Sequence, residues 1–401
     1  MTIEVMSHEP SPIKLASLAS TINEAILQYS HAESESERIS ALKSIDVTSQ
    51  KLAQCAVEPR RSLMAFHFQP HKVLCVRLAI EMRLFDNLPT SAPFTVEHLA
   101  KQAGTDLEFT SRIARALGAL NIFEEVGEDT FKQTALSQEW NDKFMQSYTR
   151  HSWDNVFRPM SSYIEFFNTT GFVSPSDRLN TPFAFAKGAK NVDFFSLLQQ
   201  DPKAATIFNE AMTSFKDPLG DLYNFSSLQV EEDGVVLVDI GGGKGQSIQS
   251  IQSSYPNLKG RYVLQDLPAV IAAGDRVCSP EVEVQPYNFF EEVQPIKGAA
   301  AYLLKLILHD WQDAECRTIL RNLAPAMRGY KSKLLICDIV LTDTRPDTQK
   351  VLYDINMFFM AGKERNVKQW HALMEGTGFR IERIIGLDNP VRSIIEVVLD
   401  G

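Results

Sequence analysis

From residue 234 onward the apolar positions of this chain fall in unbroken runs of strand length: VVLVDI, RYVLQDL, EVEVQPY, AAAYLLKLIL, KLLICDIVL and IIEVVLD. Segments with apolar residues at helical spacing lie between most of them, as in SIQSIQSSY, CRTILRNLAPAM and VKQWHALMEGTG. Strands apolar on both faces, alternating with helices, predict an α/β fold with a mainly parallel sheet covered on both sides. Ligands of such a sheet bind beyond the carboxyl ends of its strands, near the switch in strand order.

Upstream the period lengthens. Leu15, Leu18, Ile22, Ile26 and Leu27 belong to the first of two amphipathic helices expected over residues 10–57, separated near HAESESERIS. Their apolar faces need another surface to cover them. Residues 63–138 read as a helix near 71–84, two short helices around Gly104, a longer helix over 107–120 and a hairpin over 121–134. That order is similar to a winged helix. Residues 150–228 read as helices interrupted by Pro/Ser/Asn-rich stretches and rich in aromatic and methionine side chains. Most of these are core, and a few line a pocket for a flat organic substrate. The expected division is a helical, winged-helix dimerisation domain over 1–150, a helical linker contributing to the substrate pocket over 151–228, and a catalytic domain over 229–401.

Composition narrows the partners. With 401 residues the chain exceeds one ordinary core. Its formal charge of -10 disfavours nucleic acid and anionic membranes. The longer helix of the winged-helix segment offers only Arg112 and Arg115, so a dimerisation scaffold is the better reading than a DNA reader. No apolar run is long enough to span a bilayer, and residues 1–30 carry no basic start followed by an apolar block. Five scattered cysteines without a CxxC pair give neither a zinc site nor a disulfide framework. The expectation is a reduced, cytoplasmic enzyme without a metal.

The chemistry concentrates at strand ends. Asp239, Gly241, Gly243 and Gly245 form D-x-G-x-G-x-G after VVLVDI. A dinucleotide fingerprint would need glycine where Gln246 stands, and a P-loop would need Ser or Thr after Lys244, where Gly245 stands. Asp266 ends the next strand, where a carboxylate can accept hydrogen bonds from ribose hydroxyls. Turn and carboxylate together point to a nucleoside. Asn288 and Phe289 follow the third strand, one able to bond an adenine edge and the other to stack on it; a polar turn residue beside a core phenylalanine is the plainer alternative.

His309 follows the strand YLLKLIL, and an imidazole with an ordinary pKa of about 6.5 takes a proton at neutral pH. Asp338, closing the next strand, and Glu364, in AGKERN, are the acids able to orient it. Each has a simpler alternative: Glu364 pairing with Arg365 or Lys368 at the surface, Asp338 capping a turn. Lys305 lies four residues before His309 and shares its face if the strand persists that far.

The motifs LVDIGGGKG, LQDLP, ILHDWQD, LLICDIVL and GKERNVKQW, with NTPFAFAKG and FNEAM upstream, come in one order. In that order the chain resembles the S-adenosylmethionine-dependent O-methyltransferases of the plant caffeic-acid type and their fungal natural-product relatives, over about residue 60 to the end. The resemblance implies a winged-helix dimerisation domain, a Rossmann-like class I methyltransferase domain and a homodimer. It implies S-adenosylmethionine held by Asp239, Gly241, Gly243, Asp266, Asn288, Phe289 and Lys305. His309 is then the general base flanked by Asp338 and Glu364, and Phe208 and Met212 meet a small-molecule acceptor, a phenol or an enol. Two positions depart from the family: Asn288 stands for the usual aspartate, and Asp338 for the frequent glutamate, with a shorter reach.

Two rival readings keep parts of this picture. One is a pericyclase or dehydratase of the same fold, in which the bound cofactor's charge or Lys305 polarises a substrate carbonyl and no methyl moves. The other is a non-catalytic winged-helix regulator, against which the acidic charge and the full set of candidate catalytic residues both count.

Overall fold

The computed structural model describes residues 11–213, 219–228, 230, 233–274, 276–389 and 391–400. The chain divides into two compact units, residues 1–134 and 135–401.

In the first unit, helices Pro12–His31 and Glu35–Ala56 pair with each other. The second is opened by a capping box in which Ser34 accepts from the Glu37 amide and Glu37 answers to the Ser34 amide. The helix expected near 71–84 is longer, Pro59–Glu81. A single short helix, Val96–Ala103, precedes Gly104, where two were expected around it. Strand β1 (Phe94–Thr95) leads directly into that helix, which is followed by Leu107–Ala119 and by strands β2 (Phe123–Gly127) and β3 (Thr130–Gln133); the three strands are ordered β1-β3-β2 and antiparallel.

The second unit starts at Ala135, ahead of the boundary expected at 150, because helix Lys143–His151 packs on helix Pro202–Thr213. Ser147 Oγ donates to Glu210 Oε2 across that contact at 2.7 Å. The expected boundary at 228/229 touches residue 229, which lies outside the described residues.

The large sheet comprises β4 (Val235–Ile240), β5 (Arg261–Asp266), β6 (Glu283–Pro286), β7 (Ala301–Lys305), β8 (Lys333–Asp338), β11 (Phe379–Ile385) and β12 (Ser393–Leu399), with the short pair β9 (Val340–Leu341) and β10 (Arg365–Asn366) beside it. Its order is β11-β12-β8-β7-β4-β5-β6, with β4 to β8 parallel and the last two strands antiparallel. The FRIERII strand, β11, and helix Thr348–Met357 were not among the expected elements.

Alternation along the strands explains the layers. Leu303, Leu335 and Cys337 bury against Ile248 and Ile251 of helix Gln246–Ser254. Tyr302, Leu304, Leu334 and Ile336 face the opposite way, against Ile319, Leu320 and Trp370. The chain moves from β4 outward through β5 and β6, then returns to β7 on the other side of β4. The switch in direction therefore lies between β4 and β7, and their carboxyl ends open one crevice. Among the described residues no helix is long and apolar enough to cross a membrane.

Candidate functional site

The glycine turn is shaped by what surrounds it. Strand β4 is buried throughout, and the amides of Gly241 and Gly242 both donate to the Gln265 carbonyl, at 2.8 and 3.1 Å. Gly241 has φ +70°, and a side chain there would begin 2.6 Å from Ile307 Cδ1. Gly243 has φ +58° but open space, its nearest neighbour 3.9 Å from where a Cβ would stand. One glycine is demanded by close approach and conformation, the other by conformation alone. Asp266 holds the turn: Oδ2 accepts from the Gly243 amide at 2.8 Å and Oδ1 from Leu267 at 2.7 Å. Asp239 is buried, with Oδ2 unbonded. Burial pushes its carboxyl up to about 7, against the pull of Lys305. Burial in turn lowers the Lys305 ammonium, opposed by Cys337 and Asp239.

Asn288 caps its own turn, Oδ1 accepting from the Phe290 amide at 3.1 Å. Phe289 stands edge-on to Phe290 and Trp311, with ring centroids 4.8 and 6.3 Å apart. Asn322, for which the sequence offered no signal, donates to the carbonyls of Phe289 and Phe290 at 2.8 and 3.2 Å and so holds that turn in place.

The strand delivering His309 stops earlier than its apolar run. Leu306 takes φ +54°, so β7 ends at Lys305 and His309 sits on the 3₁₀ turn Leu308–Asp310. The shared-face argument for Lys305 and His309 therefore does not apply. The turn is clamped from beneath: Arg365, fully buried, donates to the carbonyls of Leu308 and Trp311 at 2.9 and 2.8 Å and pairs with Asp313 at 2.8 Å. Arg365 is thus no surface partner for Glu364. The His309 carbonyl accepts from the Lys363 amide at 2.8 Å, which brings the next residue, Glu364, to the imidazole.

Glu364 Oε1 accepts from His309 Nδ1 at 2.8 Å. Asp310 Oδ1 lies 3.4 Å from Nε2. Both ring nitrogens therefore face carboxylates. Burial alone would lower the imidazole's pKa, yet Glu364 first, then Asp310 and Asp338, outweigh it and hold His309 up at about 10. Asp338 does not flank the ring by hydrogen bonding. It is fully buried, neither oxygen has a hydrogen-bond partner, and burial pushes its carboxyl up to about 8. The shorter aspartate acts on His309 only through space.

A cavity of about 1220 Å³ runs across these elements. It is larger than the usual ~300–1000 Å³ of a small-molecule site, room for a nucleoside cofactor and an acceptor together. The residues expected from the sequence to hold cofactor, acceptor or proton all line it except Asp338; Gly245 of the glycine turn does not. Phe208 and Met212, one turn apart on helix Pro202–Thr213, line it together with Phe195 and Phe359. Asp310 and His151 also line it. The sequence signal for Asp310 was its place beside His309; for His151, a lone histidine in a helical stretch, there was none.

An O-methyltransferase domain model matches residues 174–380, and an O-methyltransferase dimerisation domain model matches residues 64–141. The O-methyltransferase penK of Penicillium thymicola is 32% identical over 88% of this chain and 83% of its own length. The O-methyltransferase kntB of Aspergillus niger is 30% identical over 93% of this chain and 92% of its own. Among solved structures, LepI in complex with SAM is similar, with 25% identity and a TM-score of 0.84, covering 96% of this chain and all of that one.

Proposed function

The chain belongs to the O-methyltransferase family, and from that premise we propose that it transfers the methyl group of S-adenosylmethionine to a hydroxyl oxygen of a phenolic or enolic small molecule in natural-product biosynthesis. The observation that carries the proposal is the 2.8 Å contact of His309 Nδ1 with Glu364, in a cavity shared with the glycine turn.

The residues present fit the cofactor. The open side of Gly243, the carboxylate of Asp266 at the end of β5 and the ring of Phe289 line one part of the cavity. Asp239, Gly241, Gly243, Asp266, Asn288, Phe289 and Lys305 are the residues proposed to hold it. Asn288 spends its carbonyl oxygen on Phe290, which leaves its amide N–H groups for an acceptor nitrogen of adenine. When bound, S-adenosylmethionine supplies a methyl group on a sulfonium, a strong electrophile.

The protein's own part is alignment and proton removal. His309 takes the acceptor's hydroxyl proton at Nε2 while Nδ1–H stays bonded to Glu364. Asp310, 3.4 Å from Nε2, yields that nitrogen to the acceptor hydroxyl. His309 first has to shed its resting proton, which is easier when a second positive charge shares the cavity. Phe208 and Met212 are proposed to meet the acceptor. The dimerisation segment supports a homodimer, and five unpaired cysteines are in keeping with a reducing cytoplasm. The test is acceptor-dependent formation of S-adenosylhomocysteine, lost in His309→Ala.

One observation favours a second reading, a same-fold pericyclase or dehydratase: carboxylates at both ring nitrogens make resting His309 an imidazolium, which is an acid. Product mass separates the two, since this rival leaves the substrate without a methyl gain.

A further inference from the structure

The cavity contains a second histidine that the methyl-transfer chemistry does not use. His151 ends helix Lys143–His151, and the chain runs straight on into a π-helical turn, Ser152–Phe157. Single π turns inside helices recur at functional sites. Here the turn carries Asn155, whose side-chain nitrogen lies 3.0 Å from His151 Nδ1. An amide nitrogen only donates, so Nδ1 accepts and the ring proton resides on Nε2. The ring is buried at 6% exposure and stands edge-on to Phe208, centroids 5.1 Å apart. Burial pushes its pKa down to about 4, so it stays neutral with one N–H. That N–H has no hydrogen-bond acceptor among the described residues, and His151 lines the cavity. A donor that faces the cavity beside Phe208 is costly when a ligand covers it without supplying an acceptor.

We propose that His151 Nε2–H binds a carbonyl oxygen of the acceptor, so that the substrate class is a hydroxyaryl or enolic ketone rather than a simple phenol. The inference rests on the small-molecule reading of the cavity above. Asn155 fixes the tautomer, Phe208 fixes the ring plane, and the donor then orients the acceptor while His309 meets its hydroxyl.

The test uses the full chain saturated with S-adenosylhomocysteine and matched pairs of ligands, hydroxyaryl ketones and the corresponding alkylphenols, with binding read by calorimetry. The wild type is expected to prefer the ketone of a pair by about 5- to 150-fold, the range for a buried donor satisfied or left unmade. His151→Phe, which keeps the edge contact to Phe208, should erase that preference. His151→Gln, which returns a donor near the Nε2 position, should restore much of it. A ketone preference absent from the wild type, weak binding of both members included, or retained in His151→Phe, overturns the proposal. Methyl transfer is followed separately on the same pairs. Ketone preference without any methylated product would refute the methyltransferase reading and leave the His151 assignment standing; methylation that ignores the carbonyl would do the reverse.

Discussion

Replacing Glu364 by glutamine removes one negative charge and puts an amide NH2 where Oε2 is buried without a hydrogen-bond partner. The side chain is 3% exposed, its carbonyl oxygen can still accept from His309 Nδ1, and the backbone amide keeps its 2.9 Å bond to Asp354. What is lost is the charge assistance, about 1.5–3 kcal/mol for a hydrogen bond to an ionised group. At 1.36 kcal/mol per pH unit, the His309 pKa should drop by roughly one to two units from its position near 10. A base works only when deprotonated, so the alkaline rise in kcat/KM should move to lower pH by that interval. Its high-pH plateau should fall about 10- to 100-fold, because the imidazolium formed in the transition state loses the same support. Imidazole NMR titration of the free protein and the pH profile of S-adenosylhomocysteine release read the two effects independently. A profile that stays in place, or moves to higher pH, would refute the claim that Glu364 is the charge that sets this histidine.

Asp338→Asn should change activity at pH 7 by less than about 3-fold, because a carboxyl raised to about 8 is already largely neutral there; a loss comparable to Glu364→Gln in steady-state kinetics would restore Asp338 as a flanking acid. Gly241→Ala must displace Ile307 as well as adopt φ +70°, whereas Gly243→Ala meets only the conformational cost. S-adenosylhomocysteine affinity measured by calorimetry should therefore fall further, by about tenfold or more, in the first than in the second. Glu396 is buried between Lys333 at 2.7 Å and Arg383 at 2.9 Å; burial would raise its carboxyl, but those bonds draw it down to about 2. A depressed folded pKa gives stability that is present above about 4.5 and lost as pH falls through about 2. Glu396→Gln should cost roughly 3 kcal/mol at neutral pH and flatten the acid limb of thermal unfolding.

Legibility followed physical scale. The parallel sheet could be read because β4, β7 and β8 are buried on both faces, and such strands leave continuous apolar runs. The glycine turn and Asp266 stood out because few residue types tolerate those positions. Where β7 ends was not legible: YLLKLIL stays apolar past Lys305, since Leu308 is buried in the 3₁₀ turn as fully as Leu304 is in the strand. The FRIERII strand was hidden by its exposed arginines and glutamate at the antiparallel edge. Within the site, sequence offered Asp338 and Glu364 as equal partners for His309. Only the Arg365 clamp and the Lys363 contact, both long-range, decide for Glu364. His151 gave no signal because its meaning lies in Asn155, Phe208 and the cavity together, not in its own neighbours in the chain.

The measurement that tests the central claim most directly is incubation of the pure protein with S-adenosylmethionine carrying a trideuterated methyl group and a panel of phenolic and enolic acceptors, with product masses recorded beside a His309→Ala control. The account predicts an acceptor that gains one trideuteriomethyl group per S-adenosylhomocysteine released, and no such product from the variant. An acceptor that is converted in the presence of cofactor without gaining the label would contradict it.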